Sequence, residues 1–110
     1  MPLILRIPAQ AGTQKNMSDA FVYILASRKN GTLYIGSALE LKPRIWLHKQ
    51  GLVEGFTKTY RVTSLVYFEI APNRHAALVR ERQMKEWKRA WKIRLIETMN
   101  PGWEDLYDAL

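Results

Sequence analysis

The chain is predicted to fold as an α+β domain, a small three-stranded antiparallel sheet flanked by helices in the order β-β-α-β-α-α. Three observations carry that prediction. Two runs of branched and aromatic residues flank an Asn30-Gly31 pair, and a third such run lies near the middle of the chain. Apolar residues recur at three-and-four spacing over 74–91, and that mixture belongs to a sheet covered by helices.

Taken in order, residues 21–26 and 32–36 are the first two strands, and Asn30-Gly31 supplies the left-handed turn chemistry that hairpins favour. Residues 39–51 read as a helix, with Pro43 suited to its first turn and Gly51 to its end. Residues 62–70 are the third strand. Pro72-Asn73 breaks it and can cap the next helix. That helix is expected over 74–91, where Ala77, Met84, Trp87 and Trp91 share a face that also carries Glu81. A short helix over 92–99 ends at Asn100-Pro101, because the residue before a proline is pushed out of helical geometry.

Residues 20–110 form one domain on this reading. Residues 1–19 are a flexible tail, and Met17 offers an alternative start that would make residues 1–16 an upstream extension. With 47% hydrophobic residues in 110, one modest core can form without staples. There is no cysteine, which excludes disulfides and thiolate zinc sites and suits a reducing, cytoplasmic setting. Neither a membrane-spanning run nor a secretory signal is expected. Formal net charge is +7, and residues 42–94 hold thirteen lysines or arginines against four acids. A cationic surface of that kind suits a polyanion such as nucleic acid, although charge alone would equally serve solubility.

Several side chains have chemistry beyond packing. Glu81 is a carboxylate on an apolar stripe, which is costly unless a cation or a metal ion compensates it. Arg44 and His48 stand one above the other at i and i+4, a solvated helix face or a phosphate site. Tyr23 and Tyr34 lie on neighbouring strands, as packing residues or as hydroxyls aimed at a reaction. Gly36 either ends a strand or lets a phosphate approach the backbone.

Val22-Tyr23-Ile24 and Tyr34-Ile35-Gly36 resemble the two halves of the GIY-YIG nuclease signature, with Phe21-Val22-Tyr23 in place of the first triplet. The likeness continues through Arg44-x-x-x-His48, the run Gly-Leu-Val-Glu-Gly-Phe-Thr at 51–57, Glu81 and Asn100-Pro101. It spans residues 21–106 and is similar to the short stand-alone bacterial group related to the N-terminal nuclease domain of the bacterial excinuclease. Residues 80–87 and 100–106 match runs typical of that group. The sequence departs from the pattern at residues 37–41, where Thr and Asp are common, and at Pro43, where a basic residue is usual.

The resemblance implies a divalent-metal-dependent endonuclease that hydrolyses phosphodiester bonds in DNA, with structure-selective repair or recombination as its setting. It implies catalytic roles for Tyr23, Tyr34, Arg44, His48 and Glu81, with Glu81 holding one Mg²⁺ or Mn²⁺ ion alongside waters and substrate phosphate. Arg44 becomes the phosphate clamp, and the proton acceptor is either Tyr34 or His48. Gly36, Lys42, Lys49, Lys58, Arg61 and Asn100 are expected to contact substrate. Arg80, Lys85, Lys88, Arg89 and Lys92 add to the same cationic surface, beside Trp87 and Trp91, which their spacing places in the core rather than as base-stacking platforms. The alternative is a non-catalytic nucleic-acid-binding module on the same scaffold. A protein partner and the oligomeric state stay open, and residues 103–110 are the segment that would suit a protein contact.

Overall fold

The computed structural model describes residues 17–110; the expectations for residues 1–16 lie outside them. Strands β1 (Ala20–Ala26), β2 (Leu33–Ala38) and β3 (Ser64–Ala71) form an antiparallel sheet in the order β2-β1-β3. Because β1 is central and covered on both faces, all seven of its residues are buried. This explains why its sequence is continuously apolar rather than alternating. Asn30 takes the left-handed conformation (φ 59°) in the β1–β2 turn, as the Asn-Gly pair predicts.

Helices α1 (Leu41–Lys49), α2 (Phe56–Tyr60), α3 (Arg74–Glu86) and α4 (Arg89–Met99) surround the sheet. Ala20, Val22, Ile24 and Ala26 pack with Ala76, Ala77, Met84 and Ile96 on the α3–α4 face. Phe21, Tyr23 and Leu25 pack with Leu41, Ile45, Phe68 and Ile70 on the α1 face. On β3 the pairing shifts between Ile24 and Leu25, leaving Val66 as an extra residue, a bulge that adds local twist. Asn73 caps α3 by accepting from the Ala76 N–H at 2.8 Å.

The expected order of the main elements holds, with two differences. The helix expected over 74–91 is divided, because Trp87 and Lys88 are extended (ψ 151° and 148°) and α4 begins at Arg89. The turn lets the Trp87 ring pack on the core beneath the Arg80 guanidinium, 5.0 Å away. Trp91, expected in the core, is 50% exposed and meets Trp87 edge-on. Helix α2 was not expected, since five residues are too few to show a period.

After α4 the chain returns across β3. Trp103 is buried and its indole donates to Glu97 at 2.8 Å. The Leu65 N–H donates to the Asp105 carboxylate at 3.1 Å, and the Leu65 carbonyl accepts from the Leu106 N–H at 2.8 Å. This segment is thus integral to the fold: Trp103, in the stretch expected to be exposed, is buried, while Glu104, Asp105, Asp108 and Ala109 are exposed.

Candidate active site

Tyr23 and Gly36 are direct cross-strand partners. The phenol of Tyr23 lies across the bare Gly36 backbone, where an added Cβ would come within 2.6 Å of the hydroxyl and 3.0 Å of the Tyr34 ring. A side chain at position 36 would therefore displace the tyrosine pair. This close approach, rather than backbone freedom, is what requires glycine here.

The Tyr23 hydroxyl is 2.9 Å from His48 Nε2, and His48 Nδ1 is 2.9 Å from the Thr57 hydroxyl. Tyr34 closes the cluster, its ring centroid 6.4 Å from Tyr23 and 5.4 Å from His48. Burial, aided by the positive charge of Arg44, lowers the His48 pKa to about 4, so the imidazole is neutral near pH 7. A neutral ring has one N–H and one bare nitrogen. His48 therefore either accepts from Tyr23 and donates to Thr57, or does the reverse. Burial raises the Tyr23 pKa to about 12 against the hydrogen bond and charge of Arg44, which favour the phenolate.

Ser37 follows Gly36 on β2 and, by strand alternation, faces α3. Its hydroxyl donates to Glu81 Oε1 at 2.5 Å, while Lys85 donates to Oε2 at 2.7 Å. The Glu81 side chain is 17% exposed, less deeply set than an apolar stripe suggests. Tyr23 also feels its negative charge. The edge strand β2 is thus a seam, with the tyrosine–histidine set on one face and the carboxylate on the other. Arg44 lines a cleft beside it with Ser37 and Arg74.

The sequence matches the GIY-YIG catalytic domain over residues 19–94. The chain belongs to the GIY-YIG family. UPF0213 proteins of Staphylococcus aureus strains Mu3 and N315 are each similar to it, 37% identical over 81 residues covering 74% of this chain and 98% of the relative. The solution NMR structure of the UPF0213 protein BH0048 from Bacillus halodurans is 26% identical, covers 79% of this chain and 92% of that one, and superposes with a TM-score of 0.49.

Of the residues that the GIY-YIG signature singles out, the fold brings together Tyr23, Tyr34, Gly36, Arg44, His48 and Glu81. Others are tied elsewhere. The Asn100 amide donates to the Val66 and Glu104 carbonyls at 3.1 and 2.7 Å and accepts from the Glu104 N–H, so it fastens the end of α4 to β3 rather than facing substrate. Lys42 reaches the Leu110 carbonyl, Lys49 pairs with Asp105, and both lie over the Tyr107 ring. Lys58 pairs with Glu54, and Arg61 is an exposed, left-handed end to α2 (φ 54°). Arg80 is bonded to buried Glu69, and Arg89 donates to the Asn30 and Gly31 carbonyls, bracing the hairpin turn. Sequence reasoning missed Ser37, Thr57 and Arg74, and it read Lys85 as one of the surface cations without its Glu81 partner. Thr57 closes the Gly-Leu-Val-Glu-Gly-Phe-Thr run, so its position was visible while its histidine partner was not.

Proposed function

We propose that this chain is an endonuclease that hydrolyses phosphodiester bonds in DNA with one Mg²⁺ or Mn²⁺ ion, acting on structured substrates of the kind met in repair or recombination. The observation that carries the reading is the joining of Tyr23, His48 and Thr57 into one buried chain beside Arg44, Tyr34 and Glu81.

Glu81 fits a hard divalent ion of the type that needs one carboxylate and otherwise keeps waters and substrate phosphate oxygens. Among the described residues no group of three or more His, Cys, Asp or Glu side chains is placed to form an all-protein cage. Ser37 fixes the carboxylate's orientation, and Lys85 is the cation that the ion would displace or sit beside. When bound, the ion would offset charge on the scissile phosphate and help the departing alkoxide. Arg44 would clamp the non-bridging oxygens with its planar fork of donors.

Tyr34, partly exposed, is the tyrosine that can touch an attacking water directly. Tyr23 is fully buried and acts behind it, holding Arg44 and His48 in place. The neutral imidazole is buried with its two nitrogens bonded to Tyr23 and Thr57, so the water's proton would reach it only by relay, the hydroxyl that donates to its unprotonated nitrogen passing on its own proton as it takes up another.

The Glu81–Lys85 ion pair favours a second reading, since it satisfies the carboxylate without a metal ion. On that reading the chain binds nucleic acid and does not cut it. The test is cleavage of labelled single-stranded, duplex, flap and branched DNA with Mg²⁺ or Mn²⁺, with binding measured in parallel. The nuclease reading expects metal-dependent cutting, lost in Arg44→Ala and Glu81→Ala, with binding retained by Glu81→Ala. Tight binding with no cutting by the wild type would replace it with the binding module.

A further inference from the structure

Outside the catalytic cluster, the surface beside Tyr34 is unusual in composition. Phe56 and Tyr60, one turn apart on α2, are 45% and 57% exposed. Their rings pack with centroids 4.9 Å apart, and the Phe56 ring lies nearly parallel to Tyr34, at 24° and 6.4 Å. The three rings make a continuous aromatic row from the catalytic tyrosine to solvent. Such a row costs free energy in water unless something covers it.

Two features indicate what covers it. Lys85 and Lys92 line one cleft with Leu33, Tyr34, Ile35 and Phe56, so cations flank the aromatic faces. Aromatic faces bordered by Lys92 and by Lys85, which also pairs with Glu81, match a single nucleic-acid strand, whose bases stack while its phosphates meet the lysines. A duplex presents phosphates but keeps its bases stacked on one another, so it would leave the row uncovered. The row is also fixed relative to the reaction centre. Thr57, next to Phe56, is buried and bonded to His48, anchoring α2 from below while its aromatics face outward.

We propose that Tyr34, Phe56 and Tyr60 form a stacking platform for unpaired bases next to the scissile phosphate, so that the preferred substrate has a single-stranded segment at the cut. This rests on the nucleic-acid reading above and adds the state of the strand that is read.

The test is fluorescence anisotropy with a labelled single-stranded oligonucleotide and a blunt duplex of the same sequence, in Ca²⁺ so that cutting does not interfere. Phe56→Ala, Phe56→Leu, Phe56→Trp and Tyr60→Ala are compared with the wild type, and 2-aminopurine in the single strand reports stacking by its quenching. Loss of one stacked base corresponds to roughly a 5- to 150-fold drop in affinity. The expectation is that Phe56→Ala and Tyr60→Ala each lower the ratio of single-strand to duplex affinity by about that factor. Phe56→Leu, which keeps an apolar side chain but no π-face, should fall with Phe56→Ala, and Phe56→Trp should match or exceed the wild type. Quenching of 2-aminopurine should weaken in step.

An unchanged ratio in folded variants, with wild-type binding intact, overturns the platform and leaves the nuclease reading standing. It would make the row a protein contact instead. Equal rescue by leucine and tryptophan overturns stacking in favour of simple apolar burial. A wild type that binds neither oligonucleotide overturns both readings.

Discussion

Two buried tyrosines sit at adjacent register positions on opposite faces of one sheet, and their surroundings differ in kind. Tyr67 donates to Glu69 at 2.5 Å, and Glu69 is held by Arg80 at 2.8 Å. Both burial and the Glu69 charge raise the Tyr67 pKa. Every polar group in that network has an internal partner, and its charges cancel. Tyr23 instead meets a neutral imidazole that can reverse its donor and acceptor roles, next to a guanidinium and a partly exposed carboxylate. A buried tyrosine is therefore no mark of a site by itself. What differs is whether its neighbours leave a protonation choice open.

The sharpest way to break this contrast is to remove each hydroxyl in turn. Tyr23→Phe should lower the cleavage rate by about a hundredfold or more, the scale of losing one member of an acid–base network, while costing ~1 kcal/mol in urea unfolding for its buried hydrogen bond to His48. Tyr67→Phe should cost stability on a similar scale for its own hydrogen bond to Glu69, with cleavage by the folded protein within a few-fold of wild type. Equal rates for the two variants would erase the distinction.

The carboxylates offer a second comparison. Glu69→Ala leaves Arg80 without its partner in a largely buried site and should cost about 3–5 kcal/mol in urea unfolding. Glu81→Ala removes a partly exposed i,i+4 pair and should cost only about 0.3–0.5 kcal/mol. A large loss from Glu81→Ala would recast it as part of the scaffold.

The remaining comparison is in pH. The pKa of His48 falls from the ordinary 6.5 to about 4 on folding, so between those values the unfolded chain binds more protons. Stability is fully present above pH 6.5 and declines as the pH drops towards 4, with a slope of at most about 1.4 kcal/mol per pH unit. Urea midpoints measured from pH 6.5 down to 5, above the range where most carboxylates titrate, should fall in the wild type and less in His48→Gln. Parallel curves would mean that His48 is no more buried than an ordinary histidine.

Much of this fold could be read from sequence because its strongest signals are local. Asn30-Gly31 defines the hairpin, Asn73 caps a helix, and branched and aromatic runs mark all three strands. The break at Trp87 could not be read, since no glycine or proline marks it and the apolar spacing of Met84 and Trp87 continues through the turn. In the site, type and spacing offered Tyr23, Arg44, His48 and Glu81 as candidates, and the likeness to the GIY-YIG signature is what set them apart from packing and surface residues. The partners that set their chemistry were not readable, because Ser37 and Thr57 are small hydroxyls whose meaning depends on what the fold puts opposite them. The same applies to the cations. Lys49, Arg80 and Arg89 look alike on a charge count, yet each is drawn to a carboxylate or carbonyl far away in sequence.

The return of the chain across Leu65 has a consequence for how copies of this protein meet. In the order β2-β1-β3, the third strand has one side with no strand beside it, and outward-facing peptide groups there could template pairing with another molecule. Asp105 and Leu106 occupy those groups at Leu65, and Asn100 holds the adjoining Val66 carbonyl. Cutting the chain after Gly102 would uncover that margin and invite self-association into mispaired sheets, even with every residue of the tyrosine–histidine cluster still in place.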